Sequence, residues 1–212
     1  MVSKNEKYII GIDEVGRGPL AGEVTVAAVL MPKKFKIKNQ KLTKKIKLRD
    51  SKKLTPEQRE IWFEYVKKEL FLSYAVASVS PRAIDKINIS KAANLAAGKA
   101  FTLLIKKSKI KIENCEVCLD GGLYLKTTNN KLQITKYKQR TIIKGDEKIP
   151  AISLASIVAK VTRDKKMEKL HKKYPQYGFK NHKGYGTKEH FKAIKKHGPS
   201  KIHRLTFLKK MR

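Results

Sequence analysis

Asp13 and Glu14 stand side by side just ahead of a Gly16-Arg17-Gly18 turn closed by Pro19. An ordinary charged hairpin turn rarely packs two acids, two glycines, an arginine and a proline into seven residues. Glycines let a ligand approach the main chain closely, and an arginine brings a permanent cation with a forked set of donors. The combination points to a divalent metal and a phosphate handled in one place. Cleavage of a phosphodiester needs an activated water, neutralised charge on the phosphate and help for the leaving oxygen, and two divalent ions about 3.5 to 4 Å apart supply all three. Hard ions of this kind take carboxylate oxygens in preference to sulfur or imidazole. Acids are scarce, 18 against 50 lysines and arginines in 212 residues, so their positions carry information. Asp120 closes the apolar run Val117-Cys118-Leu119 and is followed by two glycines, and Asp146 follows a short β-like run and Gly145.

The elements that must position these acids alternate between strand and helix patterns, which predicts a layered α/β domain. Strands are expected at about 7–13, 23–31, 71–80 and 115–120, with a short one near 141–143 and a hairpin between the last two. Thr55-Pro56-Glu57-Gln58 reads as a capping box with proline at the first helical position, opening a helix to about residue 70. The alanine-rich run from Ile89 to Lys107 has the spacing of a helix laid on a sheet. Leu154 to Lys173 predicts a long helix ending before Pro175, and Thr187 caps another that stops at Gly198. Lys33 to Lys47 reads as a basic, solvated loop. In such folds the ends of neighbouring strands converge on one rim, so Asp13, Glu14, Asp120 and Asp146 can meet there. Alternation along a regular strand sends adjacent side chains to opposite faces, so Asp13 and Glu14 are expected to share a site only if the strand breaks at them. Asp146 is open to the objection that Gly-Asp is a common turn dipeptide and that Asp164 competes with it. Asp164 is placed one helical turn after Lys160 and reads better as an ion pair. His182, His190 and His203 read as phosphate contacts or packing groups ahead of metal ligands.

Taken in order, the Gly11–Gly22 stretch, Asp50-Ser51-Lys52-Lys53-Leu54, the Val117–Gly121 run, Lys144-Gly145-Asp146, the Leu154–Asp164 run, the His182–His190 run and His203-Arg204-Leu205-Thr206-Phe207 resemble the motifs of bacterial ribonuclease HII, which cuts the RNA strand of RNA-DNA duplexes. The likeness runs from about residue 8 to about residue 207. Glu23 departs from it, standing where that family usually has proline, and two segments, around 33–48 and 123–138, look longer than the family pattern. The resemblance implies an RNase H-like mixed β-sheet flanked by helices, with a helical C-terminal part from about residue 175, all in one catalytic domain over 1–212. It implies that Asp13, Glu14, Asp120 and Asp146 form the catalytic, metal-binding set for two divalent ions, Mn²⁺ or Mg²⁺. It also implies that Gly16, Arg17 and Gly18 contact the ribose 2′-hydroxyl and the neighbouring phosphate, that Tyr185 packs on the sugar beside the scissile bond, and that Lys52 lies near the phosphates. Read on its own residues, Tyr185 serves equally well as a loop aromatic covering the helix that starts at Thr187. The implied partners are RNA-DNA hybrids and DNA containing ribonucleotides, cut to leave 3′-hydroxyl and 5′-phosphate ends, by a monomer that binds no membrane.

Composition agrees with a nucleic-acid enzyme without selecting one. A net charge of +32 attracts polyanions regardless of sequence, but lysines spread through the whole chain fit a general lysine bias as well. A basic binding protein without catalysis would carry the same charge, but four carboxylates turned towards a phosphate would repel it unless cations intervened. A two-metal nuclease acting on DNA alone would need neither the Gly-Arg-Gly turn nor Tyr185. No run approaches the roughly 18 apolar residues of a membrane span, and the first residues have no apolar signal segment, so a cytoplasmic location is expected. Cys115 and Cys118 make one C-x-x-C without a second pair, in an apolar strand, and read as small buried residues.

Overall fold

A computed structural model of the chain describes residues 7–35, 46, 48, 51–69, 72–125 and 137–209. Strands β1 (Tyr8–Val15), β2 (Val24–Pro32), β3 (Ser73–Val79), β4 (Cys115–Asp120) and β5 (Lys138–Ile142) form a mixed sheet in the order β3-β2-β1-β4-β5. β2 runs antiparallel to both its neighbours, whereas β1, β4 and β5 are parallel. The three parallel strands therefore end on the same rim. Helix α1 (Pro56–Lys68) lies between β2 and β3 in the chain, α2 (Pro81–Ile87) and α3 (Ile89–Ser108) lie between β3 and β4, and α4 (Gly145–Lys148), α5 (Pro150–Lys173), α6 (Phe179–His182), α7 (Lys188–His197) and α8 (Leu205–Lys209) follow β5.

Both faces of the sheet are covered, which is why β1 and β2 read as continuous apolar runs. On one face Ile10, Ile12, Val26 and Ala28 pack against the alanine stripe of α3, Ala92, Ala93, Ala96, Ala97 and Ala100. On the other, Ala27, Val29 and Met31 meet Trp62, Phe63 and Val66 of α1 and Ala151, Leu154, Ala155 and Val158 of α5. The capping box of Thr55 and Gln58 closes as its sequence predicts. α5 packs tightly on the sheet at Gly11, where an added Cβ would lie 2.1 Å from the Ala151 carbonyl carbon. Beyond α5, Tyr177 and Phe179 build a small separate core with Ala21 and Met167.

Several boundaries differ from the sequence reading. α5 starts at Pro150 and not at Leu154 because every residue from Ala151 to Ala159 is buried, and a segment apolar on all sides shows no stripe to mark its start. β5 starts at Lys138, not near 141, because it is an edge strand of mostly exposed polar residues without alternation. The expected break in the first strand does not occur: β1 keeps its ladder with β2 through Val15, pairing Asp13 with Ala27 and Glu14 with Val26. Most of the basic Lys33–Lys47 loop, Asp50 and most of the long 123–138 segment, with the hairpin expected between the last two strands, lie outside the described residues.

Candidate active site

The acids collect where the parallel strands end. β1 pairs with β4 only as far as Ile12 opposite Leu119, so Asp13 and Asp120 stand level at the point where β4 turns away into Gly121-Gly122. This opening, and not a strand break, lets Asp13 and Glu14 lean into one region although they start from opposite faces. Asp13 is buried and accepts a hydrogen bond from the Glu14 backbone N–H at 2.7 Å. Burial raises its carboxyl well above the usual range, the Glu14 and Asp120 charges add to the rise, and the Ser156 hydroxyl of α5 and the Glu14 N–H work against it. Glu14 is also raised, first by burial and then by Asp120, with Arg17 opposing. The Ser156 hydroxyl in turn bonds that of Ser51 at 2.8 Å.

Asp120 accepts from the Gly145 N–H at 2.6 Å, a contact that ties the end of β4 to the start of α4 and so brings Asp146 beside it. An added Cβ at Gly145 would lie 2.6 Å from Ile152 Cδ1 and 3.2 Å from Asp120 Oδ1, so both side chains would have to shift to admit it. Asp146 is buried, and its carbonyl accepts from the Ser153 hydroxyl of α5. The four acids thus share one rim. They do not close into a finished cage: among the described residues no three His, Cys, Asp or Glu side chains converge in a metal-holding geometry. The oxygen Asp120 Oδ1 is instead occupied by a backbone amide, as is Asp13 Oδ1. A hard cation nonetheless fits the donor set. Glu14 Oε2 is buried and takes no hydrogen bond among the described residues, beside two more carboxylates whose charges resist one another. Such an oxygen carries a desolvation cost that a cation would offset.

The Gly-Arg-Gly turn flanks this rim and is held from below. Arg17 reaches back to Glu14 at 3.3 Å and to the Ser90 hydroxyl at 3.3 Å. Gly16 has φ +88, and a Cβ there would strike the Arg163 guanidinium at 2.4 Å. Two buried arginines grip the turn by its carbonyls. Arg204 donates to Gly16 O at 2.6 Å, Arg17 O at 2.8 Å and Gly22 O at 3.0 Å, and Arg163 donates to Ala21 O and Glu23 O. With the carbonyls drawn inward, the N–H groups of Gly16, Arg17 and Gly18 have no backbone acceptor among the described residues. Burial lowers both arginines, Arg204 to about 9, but each keeps its charge at neutral pH. Glu23 pairs with Lys166 of α5.

Tyr185 faces the same turn. Its half-exposed ring stands over Gly18, whose Cβ would lie 3.8 Å from it, and over the Arg163 guanidinium at 6.0 Å. Gly184 (φ +87) and Gly186 let the loop pass between Ala21 and Phe191, and Thr187 caps α7 behind it. Lys52 is exposed on a single 3-10 turn, Ser51–Lys53, between Ser51, anchored on Ser156, and Lys53, paired with Glu147 beside Asp146. Of the two readings open for the histidines, phosphate contact or packing, His190 and His203 take the packing one, since both are buried. Asp164 pairs with Lys160 at 2.9 Å as its spacing predicts. Cys115 and Cys118 are buried on opposite faces of β4, too divergent to chelate together. Sequence reasoning assigned no role to Ser51, Ser156, Gly145, Arg163 or Arg204.

The family model described as Ribonuclease HII matches residues 10–210. A protein described as Ribonuclease HII from Caldicellulosiruptor bescii is 44% identical over 209 residues, covering 99% of this chain and 90% of that protein. Among solved structures, ribonuclease H2 from Pyrococcus horikoshii OT3 superposes with a TM-score of 0.68 at 29% identity over 96% of each chain. Bst-RNase HIII in complex with Mn²⁺ gives 0.63 at 19% identity, over 82% of this chain and 57% of that one, a likeness of fold.

Proposed function

Since the chain belongs to the ribonuclease HII family, and so is a ribonuclease H hydrolase, we propose that the carboxylate rim cuts the RNA strand of RNA-DNA hybrids, and the bond at single ribonucleotides embedded in duplex DNA, leaving 3′-hydroxyl and 5′-phosphate ends. The observation that carries this reading is the meeting of raised, mutually repelling carboxylates with the clamped Gly-Arg-Gly turn on one rim. Asp13, Glu14, Asp120 and Asp146 would hold two divalent ions, Mg²⁺ or Mn²⁺. Bound there, the ions supply a water activated at neutral pH and neutralise charge building on the phosphate. A fold relative, Bst-RNase HIII, has been crystallised with Mn²⁺.

The chain's own residues do the rest. Ser156 and the Glu14 N–H orient Asp13, and the Gly145 N–H orients Asp120. The N–H groups of Gly16, Arg17 and Gly18, which have no backbone acceptor among the described residues, can with the Arg17 guanidinium take a phosphate and the 2′-hydroxyl that separates RNA from DNA. Tyr185 offers a ring to the adjoining sugar, and Lys52 a cation to the backbone. The reading extends to ribonucleotide excision and primer removal by a monomeric, one-domain enzyme. Among the described residues no helix is long and apolar enough to cross a membrane. Cleavage of a DNA duplex carrying one ribonucleotide, compared with the all-DNA duplex in Mg²⁺ or Mn²⁺, tests it. Equal cutting of both duplexes, or full activity of Asp120→Asn, refutes it.

A further inference from the structure

His203 and Arg204 are neighbours in the chain, yet each reaches a different half of the apparatus proposed for ribose recognition. Arg204 holds the carbonyls of Gly16 and Arg17. His203 reaches Tyr185 through His190, and the hydrogen bonds fix every proton along the way. The Ser200 N–H donates to His203 Nδ1 at 2.9 Å, so that nitrogen is an acceptor and the proton of a neutral ring sits on Nε2. His203 Nε2 then donates to His190 Nε2 at 3.0 Å, which leaves the His190 proton on Nδ1, and this donates to the Tyr185 carbonyl at 2.8 Å. His182 stacks on His190 with ring centroids 4.4 Å apart, accepts from the Gly184 N–H on Nδ1 and donates from Nε2 to Tyr177 O. The main chain joins the same parts: Leu20 N–H bonds Gly184 O, Gly22 N–H bonds Ile202 O, Arg204 N–H bonds Leu20 O, and Ala21 bridges to His203.

We propose that the His203-Arg204 dipeptide is a positioning clasp that sets the distance between the Gly16-Arg17-Gly18 turn and the Tyr185 ring, and thereby the enzyme's preference for a ribonucleotide over a deoxyribonucleotide. The proposal rests on the reading of those two elements as sugar and phosphate contacts. Neither His203 nor Arg204 is exposed enough to touch a duplex. Their effect is transmitted wholly through the backbone of the groups they hold. A rigid first contact is needed because errors of about 1 Å in such a site can cost about a hundredfold in rate.

The test compares His203→Asn with His203→Gln. Asparagine puts an acceptor near the Nδ1 position, keeping the Ser200 bond and losing His190. Glutamine reaches the Nε2 position and can still donate to His190. Affinities for the one-ribonucleotide duplex and the all-DNA duplex are measured in Ca²⁺, and the ratio is the readout, with melting temperature and Mn²⁺ binding as folding controls. The expected result is a ratio roughly tenfold smaller in His203→Asn, nearly restored in His203→Gln, with no added loss when His203→Asn is combined with Tyr185→Ala. A merely structural role would lower the melting temperature and leave the ratio alone. If His203→Asn does not fold, His190→Gln carries the same test by removing the donor to the Tyr185 carbonyl. An unchanged ratio in a folded His203→Asn or His190→Gln, beside a reduced one in Tyr185→Ala, overturns the clasp and leaves the Tyr185 reading standing. An unchanged ratio in Tyr185→Ala overturns that reading, and the clasp with it.

Discussion

Gly11→Ala changes a residue that bears no reactive atom, yet the packing at that point sets the height of α5 above the site. The added Cβ would sit 2.1 Å from Ala151 C, 2.3 Å from Ala151 O and 2.3 Å from Ile152 N, where ordinary contact begins at 3.4 Å. The obstacles are helix backbone, so no rotamer change relieves the clash, and α5 must retreat by about 1.3 Å to bring the 2.1 Å approach out to 3.4 Å. Overpacking costs about 1–3 kcal/mol, and a backbone obstacle puts this case near the top of that range. In a chain of this length that lowers the melting temperature by roughly 4–12 °C. The same retreat carries Ser156 away from Asp13 and Ser153 away from the Asp146 carbonyl. A displacement near 1 Å in a catalytic set costs about a hundredfold in turnover. Far-UV circular dichroism melts and single-turnover cleavage of the one-ribonucleotide duplex measure both effects. Gly98→Ala is the matched control: it lies within α3 with nothing within 4 Å of its Cβ, and should gain up to about 1 kcal/mol without altering cleavage. A Gly11→Ala protein with the parent's melting temperature and rate would refute the argument.

Asp13→Asn should melt higher than the parent at neutral pH in EDTA while cleavage falls by orders of magnitude. Because burial and its acidic neighbours raise the Asp13 carboxyl in the fold, the stability present at acid pH is lost as pH rises through the folded value, and asparagine abolishes that loss. Mn²⁺ should raise the parent's melting temperature far more than the variant's, and a destabilised variant in EDTA would contradict the sign. His203 acts in the opposite direction: held down to about 4 by burial and by His190, it subtracts stability as pH falls from its ordinary value of about 6.5, by about 2 kcal/mol at pH of about 5. Urea titrations of parent and His203→Asn across this window isolate that contribution as their difference, and parallel pH profiles would exclude it. Duplex affinity should fall log-linearly with salt, by several tenfold steps between about 50 and 200 mM if 6 to 10 phosphates are contacted, and a flat response would mean that the lysines lie off the binding face.

Much of the architecture was legible because local rules and tertiary demand agree. The Thr55 and Thr187 caps, the alanine stripe of α3 and the runs of β1, β2 and β4 each follow from residues a few positions apart. The four acids could be picked out because strand ends and glycines mark them within the chain. The sequence determined which side chains bring charge to the rim. It could not determine how Asp13 and Glu14 share that rim, since this depends on β4 parting from β1 at Leu119, a pairing between residues more than a hundred positions apart. Nor could it assign Arg163 and Arg204, whose meaning lies in carbonyls up to 188 positions away, or the proton order of three histidines, which each ring takes from its neighbours. A capping residue finds its partner within one turn of helix, so its role is written locally. A buried cation or a neutral imidazole acquires its role from whatever the completed fold brings within hydrogen-bond reach, and only the tertiary structure decides that.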